Sequence, residues 1–138
     1  MWVLIEKLIK IKRWIIIIYY FASQEDFDGI KLYPRIPLSR MNDEDDIISR
    51  ICVSKSINGC LTGTQCYGLG DIVNIYKCES NNVIQPSIEQ VPDVCFSGEE
   101  WILEPVIMKL FMQVKILSII NCHINDNKMY NKLYQFEI

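Results

Sequence analysis

The feature that most constrains the fold of this sequence is a short apolar run, which is interrupted by a small polar turn and then continues. It spans Arg50 to Gly63 and reads Arg-Ile-Cys-Val-Ser-Lys-Ser-Ile-Asn-Gly-Cys-Leu-Thr-Gly. Ile51 to Val53 has the composition of a buried strand, and Ser54 to Ser56 that of a turn or helix cap. Ile57 to Leu61 is then the short element that leaves the turn. Because loops on a rigid sheet carry function, we expect a functional residue near this turn.

The length and net charge of the chain limit the kinds of fold and partner that we expect. A chain of 138 residues has room for one domain with a substantial core. The net charge of -3 and the pI of about 5.1 argue against nucleic acid as a partner. Residues 1–13 carry four basic residues and one acid, whereas residues 71–104 carry seven acids and one basic residue. We therefore expect any site for a cationic group, or any acid catalyst, in the second of these segments.

The N-terminal residues form a basic, amphipathic leader followed by an apolar run. Residues 1–13 have the pattern of an amphipathic helix that need not belong to the fold, and residues 14–138 would then form the domain. Trp14 to Ala22 contains nine apolar residues in succession, too few for a membrane helix of about 20 residues. A buried strand is the favoured interpretation, and with it a cytoplasmic protein. The alternatives are membrane attachment, or export through this basic and apolar segment.

Six cysteines lie at irregular spacing, with no Cys-x-x-Cys pair. Cys52, Cys78 and Cys95 lie in or beside apolar, strand-like runs, where a free thiol behaves as a small hydrophobic group. Reduced structural thiols are therefore favoured over a disulfide framework. A zinc site is not expected, because the sequence has a single histidine, His123, and no ligand pairs at finger spacing.

The remaining segments predict an α+β domain dominated by antiparallel strands. Strand patterns cover residues 71–78, 113–124 and 130–138, with a hairpin connection at residues 125–127. Residues 93–108 are typical of a strand that is interrupted by a tight turn or bulge at Ser97 and Gly98. Residues 62–70 and 81–92 are predicted to be irregular, and helix content is expected to be small.

Glu99 and Glu100, flanked by Gly98 and Trp101, are the candidate catalytic residues. Neighbours on a strand point to opposite faces, so only one of the two carboxylates can face a given pocket. A carboxylate beside a tryptophan is expected to have its pKa raised by desolvation, which suits an acid or base catalyst. The alternative is a pair of exposed glutamates on an edge strand, because glutamate is rarely buried.

Three arginines flank the acidic cluster of residues 43–46. Arg35, Arg40 and Arg50 could form a phosphate clamp, since guanidinium groups match phosphate oxygens, and Arg50 is then a candidate cofactor-binding residue. Pairing with the acidic cluster is the slightly favoured alternative. Ser54 and Ser56 are by default caps of the following element.

Three segments in order resemble the layout of small ADP-ribosyltransferase-like domains. They are Tyr19 to Ser23, Arg50 to Ile57, and Gly98 to Trp101. In that family a first strand carries a histidine or arginine, a second a tyrosine or serine, and a later strand the glutamate. The resemblance covers residues 14–138 and implies a split-sheet α+β fold that cradles NAD. It rests on short motifs.

The resemblance implies roles for three residues. Ser54 matches the second-strand position, and Glu99, or else Glu100, matches the glutamate that holds the nicotinamide ribose. Tyr20 falls at the first position, where the family has histidine or arginine, so an active enzyme and a degenerate relative both stay open. The implied function is transfer of ADP-ribose from NAD to a protein partner, without a metal. The alternative is a non-catalytic interaction protein, such as a phage or mobile-element accessory factor that masks a host protein.

Overall fold

The computed structural model describes residues 17–38, 40, 43–64, 66–124 and 129–138, without the side chains of residues 123–131. The leader of residues 1–13 and the connection at residues 125–127 lie outside this range. The strands and helices that we number in chain order are β1 (Ile18–Ser23), β2 (Lys31–Leu32), β3 (Ile51–Ser54), α1 (Ile57–Thr64), β4 (Ile72–Glu79), β5 (Val83–Ile84), α2 (Val94–Ser97), β6 (Glu99–Ile102), β7 (Val106–Ile107), β8 (Lys109–Ile124) and β9 (Met129–Glu137).

Seven of these strands form one sheet in the order β5-β6-β3-β1-β4-β8-β9, and β2 and β7 form a separate pair. Every neighbouring pair in both sheets is antiparallel. The structure is thus a small α+β domain dominated by antiparallel strands, which confirms that part of the prediction. Among the described residues, no helix has the length and apolar character needed to cross a bilayer.

The seven-stranded sheet has a core on each face. On the face covered by α1, which we call the α1 face, the buried apolar residues are Ala22, Cys60, Leu61, Tyr67, Val73, Ile75, Val114, Ile116 and Tyr134. On the opposite face, with β7 packed against it, they are Tyr19, Ile51, Val53, Tyr76, Cys78, Ile102, Val106 and Met108. Alternating side chains along β1 and β4 serve both cores, so each strand places apolar residues on both faces of the sheet.

The junction between β1 and β3 is the narrowest in the large sheet. β1 pairs with β4 from Ile18 to Ser23, but its pairing with β3 is a single register pair, Tyr20 with Ser54. On the other side, β3 pairs with β6 along its whole length. The α1 helix contacts both β1 and β3 and so packs across this junction.

Gly59 lets α1 approach the sheet closely. A Cβ atom on Gly59 would lie 2.1 Å from the Ser54 hydroxyl oxygen and 2.4 Å from the Ser97 carbonyl oxygen. Gly59→Ala should therefore lower the free energy of unfolding by about 3 kcal/mol, because overpacking here would force backbone to move. Urea unfolding would measure this loss.

Gly63, in the same helix, offers a matched control for that measurement. A Cβ atom there would meet only the Glu99 Oε1 atom at 3.8 Å, which is an ordinary contact. Gly63→Ala should raise stability by about 0.5 to 1 kcal/mol through helix propensity. If the two substitutions changed the free energy of unfolding equally, close packing at Gly59 would not be the reason that a larger residue is disfavoured there.

Several local predictions need correction. Residues 62–64 continue α1, although the glycine-rich composition predicted irregular chain from residue 62. Residues 94–97 form the short helix α2 rather than strand, and Gly98 ends it with a φ of 63°. The predicted tight turn is thus present, with helix before it and β6 after it. The predicted loop of residues 81–92 contains the short strand β5.

All six thiols are unpaired in the structure. Cys60 and Cys78 are buried, and burial raises the pKa of each thiol to about 12. Cys95 is exposed in α2, so its predicted place in an apolar strand was wrong.

Candidate functional site

β6 carries the two candidate carboxylates to opposite faces of the sheet. Glu99 is 8% exposed and Glu100 is 6% exposed, so the alternative of two exposed edge glutamates was wrong. β6 lies between β5 and β3 and is not an edge strand. Glu99 lies on the α1 face with Trp101, and Glu100 points to the other face. Only Glu99 therefore shares a face with the turn at Ser54.

Three sequence-predicted residues line up across neighbouring strands. Tyr20 of β1 pairs in register with Ser54 of β3, and Ser54 pairs with Glu99 of β6. Directly opposite residues in antiparallel strands point to the same face, so the three side chains belong to one row on the α1 face. The row crosses the narrow junction between β1 and β3.

Trp101 supplies the direct hydrogen bond to Glu99. Its indole Nε1 donates to Glu99 Oε2 at 2.8 Å, between two side chains of one strand that point the same way. Trp101 is fully buried, so this hydrogen bond is shielded from water. The other carboxylate oxygen, Oε1, lies toward Gly63, an exposed glycine in the last turn of α1.

Burial raises the pKa of Glu99 to about 7. Desolvation is the main cause, and the nearby acids Glu44 and Asp93 act in the same direction. The Trp101 hydrogen bond and the Arg50 charge lower the pKa but do not offset burial. The predicted rise of the Glu99 pKa by desolvation is thus confirmed, although the Trp101 hydrogen bond acts in the opposite direction. Near pH 7 this carboxyl group can be either a proton donor or a carboxylate.

Arg50 anchors the loop before β3 against this strand pair. Its guanidinium donates to Glu44 Oε2 at 2.7 Å and to Asp45 Oδ2 at 3.1 Å, and it stacks on the Trp101 ring at 4.1 Å. The Arg50 side chain has no exposed surface. Its pairing with the acidic cluster is therefore confirmed, and both terminal nitrogens of the guanidinium are bonded to these carboxylates.

The predicted clamp residues Arg35 and Arg40 have other neighbours. Arg35 exchanges backbone hydrogen bonds with Arg50, and the Arg40 guanidinium donates to the Pro37 carbonyl oxygen.

The Ser54 hydroxyl links β3, α1 and the chain before β6. It donates to the Ser97 carbonyl oxygen at 3.4 Å and accepts from the Ser56 amide at 3.3 Å. Ser56 in turn accepts from the Gly59 amide at 3.0 Å, which makes Ser56 the cap of α1. Ser54 is 3% exposed, so in this structure its hydroxyl acts as a structural link that holds α1 beside Glu99.

Glu100 belongs to a separate polar cluster on the opposite face. Its Oε1 atom accepts from Gln85 Nε2 at 3.2 Å and lies 3.6 Å from the ammonium group of Lys55, which is half exposed. Gln85 follows β5, and Lys55 follows β3. These contacts do not join Glu100 to the row that contains Glu99.

Sequence reasoning did not identify Glu44, Asp93 and Gly63 as neighbours of Glu99. Glu44 and Asp93 come from separate loops, and no short-range pattern links either residue to β6. The spacing of Glu99 and Trp101 on one strand was the available signal, because residues two apart on a strand share a face.

The comparisons with known proteins add no assignment. No protein-family model, no curated protein and no solved structure matches the chain. Within the described ranges, no group of three or more His, Cys, Asp or Glu side chains is arranged to hold a metal ion. The geometry around Glu99 is therefore the basis for a functional proposal.

Proposed function

We propose that this protein is an ADP-ribosyltransferase-like domain that binds NAD at Glu99 and transfers ADP-ribose to a protein partner. The observation that carries the proposal is the row Tyr20, Ser54 and Glu99 on three adjacent strands of the antiparallel seven-stranded sheet. The row has the strand order that the family resemblance implies. A cytoplasmic location suits NAD as the substrate and agrees with the six unpaired thiols.

Glu99 has the chemistry that this reaction needs. In the proposed step, the bond between nicotinamide and the ribose breaks, and nicotinamide leaves with the bonding electrons. A nucleophile of the partner protein forms the new bond to the same ribose carbon and releases its proton. The ionised Glu99 carboxylate stabilises the positive charge that develops on the ribose. A buried carboxylate exerts a stronger electrostatic effect than one in water.

Two features favour a weak or degenerate site. Tyr20 stands where the family has histidine or arginine, and it brings a phenol in place of a cation or imidazole. Arg50 is committed to Glu44 and Asp45 and is not directed to the row. Under this proposal, NAD binding depends mainly on Glu99, and catalysis is the more fragile of the two properties.

Titration of the purified protein with NAD, following the melting temperature and nicotinamide release together, tests the proposal. A ligand that binds only the folded protein raises its melting temperature. Glu99→Gln should abolish both the shift and any release. Glu100→Gln is the matched comparison, because Glu100 is equally buried on the same strand but faces the other way. It should keep the shift.

The pH dependence of NAD binding supplies a second criterion. Because Glu99 must be ionised and its pKa is about 7, binding should strengthen as the pH rises through about 7. A shift without nicotinamide release would mean a nucleotide-binding, degenerate relative. The absence of a shift at millimolar NAD would refute the proposal and leave a non-catalytic interaction protein as the alternative to test by affinity capture.

A further inference from the structure

The two oxygens of the Glu99 carboxylate have different surroundings. Oε2 accepts the Trp101 indole hydrogen at 2.8 Å inside the core. Oε1 lies on the side of Gly63, where an added Cβ atom would stand 3.8 Å away. Gly63 is exposed, whereas Gly59, one turn earlier, is buried against Ser54 and Ser97. Because residue 63 is a glycine, α1 places no side chain beside Oε1 at this exposed position.

The Trp101 ring is itself held in place. The Arg50 guanidinium stacks on it at 4.1 Å and also forms ion pairs with Glu44 and Asp45. A rotation of the indole would break the stacking contact as well as the hydrogen bond to Glu99. The ion pairs, the ring and the carboxylate thus form one connected series of buried contacts.

We propose that the two oxygens have separate roles: Trp101 is a positioning residue that fixes Oε2, and Oε1 is offered to a ligand that enters past Gly63. This inference rests on the proposed function for the identity of the ligand. The geometry of the carboxylate does not depend on it. Side chains that are already held in the binding geometry bind a ligand more tightly, because they lose less conformational freedom on binding.

The positioning role of Trp101 is tested without any ligand. The indole N–H resonance of Trp101, assigned by its loss in Trp101→Phe, should titrate with the carboxyl group of Glu99 in the wild-type protein. The same resonance should stop titrating in Glu99→Gln. In Trp101→Phe, the pKa of Glu99 measured by carboxyl carbon resonance should rise by about one unit, because a hydrogen bond to the charged form is lost.

Ile102→Val controls for a simple loss of packing. Ile102 is fully buried on the same strand and faces away from Glu99. This substitution should lower stability without moving the pKa of Glu99. An indole resonance that does not titrate, or an unchanged pKa of Glu99 in Trp101→Phe, would overturn the positioning role.

Access past Gly63 has its own test. Labelling of Glu99 by a water-soluble carbodiimide and an amine, read by peptide mass, should be lost in Gly63→Leu. It should persist in Asn58→Leu, which changes an exposed position of the same helix. Labelling that persists in Gly63→Leu would overturn this entry route.

The NAD measurement separates the two proposals. Gly63→Leu should weaken NAD binding by about tenfold or more, while Asn58→Leu should not. If the wild-type protein binds no NAD, the proposed function fails, but indole titration and carbodiimide labelling still decide whether the two oxygens have separate roles. Unchanged NAD binding in a folded Gly63→Leu protein would contradict the entry route.

Discussion

Glu99→Gln should raise the free energy of unfolding by about 3 kcal/mol at pH 8 and should leave it nearly unchanged at pH 4. The pKa of Glu99 is about 7 in the folded protein, above its ordinary value of 4.5. The folded state therefore binds more protons than the unfolded state between these values. The stability that Glu99 contributes is complete below about pH 4.5 and is lost as the pH rises through about 7. Since one pKa unit corresponds to about 1.4 kcal/mol, the loss is about 3 kcal/mol.

Glutamine at position 99 keeps an oxygen that can accept the Trp101 indole hydrogen, but it never becomes charged. Urea unfolding of both proteins at several pH values would give the difference curve directly. The difference should grow between about pH 5 and pH 8 and then level off. A constant difference across this range would mean that Glu99 titrates at its ordinary pKa and that the site is better hydrated than the structure indicates.

Arg50→Met should lower the free energy of unfolding by about 2 to 3 kcal/mol, because it removes a fully buried guanidinium that pairs with Glu44 and Asp45 and stacks on the Trp101 ring. The Glu44 and Asp45 side chains are 9% and 13% exposed, and Asp45 also accepts hydrogen bonds from the Ile47 and Ile48 amides, so part of their stabilisation would remain. Methionine would keep part of the packing on Trp101 but would supply no hydrogen-bond donors. Urea unfolding at pH 7 would measure the loss.

Arg40→Met is the control for the Arg50 substitution. Arg40 is exposed, and its guanidinium donates to a backbone carbonyl oxygen in the same loop. Its removal should change stability by about 0.5 kcal/mol or less. A similarly small effect at Arg50 would show that the loop of Glu44 and Asp45 can move away and expose both carboxylates to water.

The sequence allowed good predictions where alternation and turn chemistry act locally. β3, the Ser56 cap, β4 and the long strands β8 and β9 all follow from apolar patterns bounded by polar or glycine residues. The desolvation that raises the pKa of Glu99 was also predicted from a local pattern, since Glu99 lies two residues from a large apolar side chain on the same face of the strand. The sequence showed that Glu99 and Glu100 point to opposite faces of the sheet. It did not show which of the two faces carries the site.

The remaining features depend on contacts between distant segments. The α2 helix is only four residues long, and Gly98 rather than any helical periodicity marks its end. The close approach of Gly59 to Ser97 joins positions 38 residues apart in the sequence. Glu44 and Asp93 reach Glu99 from two separate loops. Such contacts between distant segments depend on the order of the strands in the sheet, which the residues of a single segment do not determine.

The single register pair between β1 and β3 is the weakest backbone connection in the seven-stranded sheet. One half consists of β5, β6 and β3, and the other of β1, β4, β8 and β9, joined in hydrogen bonding at Tyr20 and Ser54. Few backbone hydrogen bonds join the two halves, so their connection depends mainly on α1, which contacts both β1 and β3, and on the shared core around Tyr19, Ile51 and Val53. A molecule that touches both Tyr20 and Glu99 would span this junction, and its binding would add contacts between the two halves.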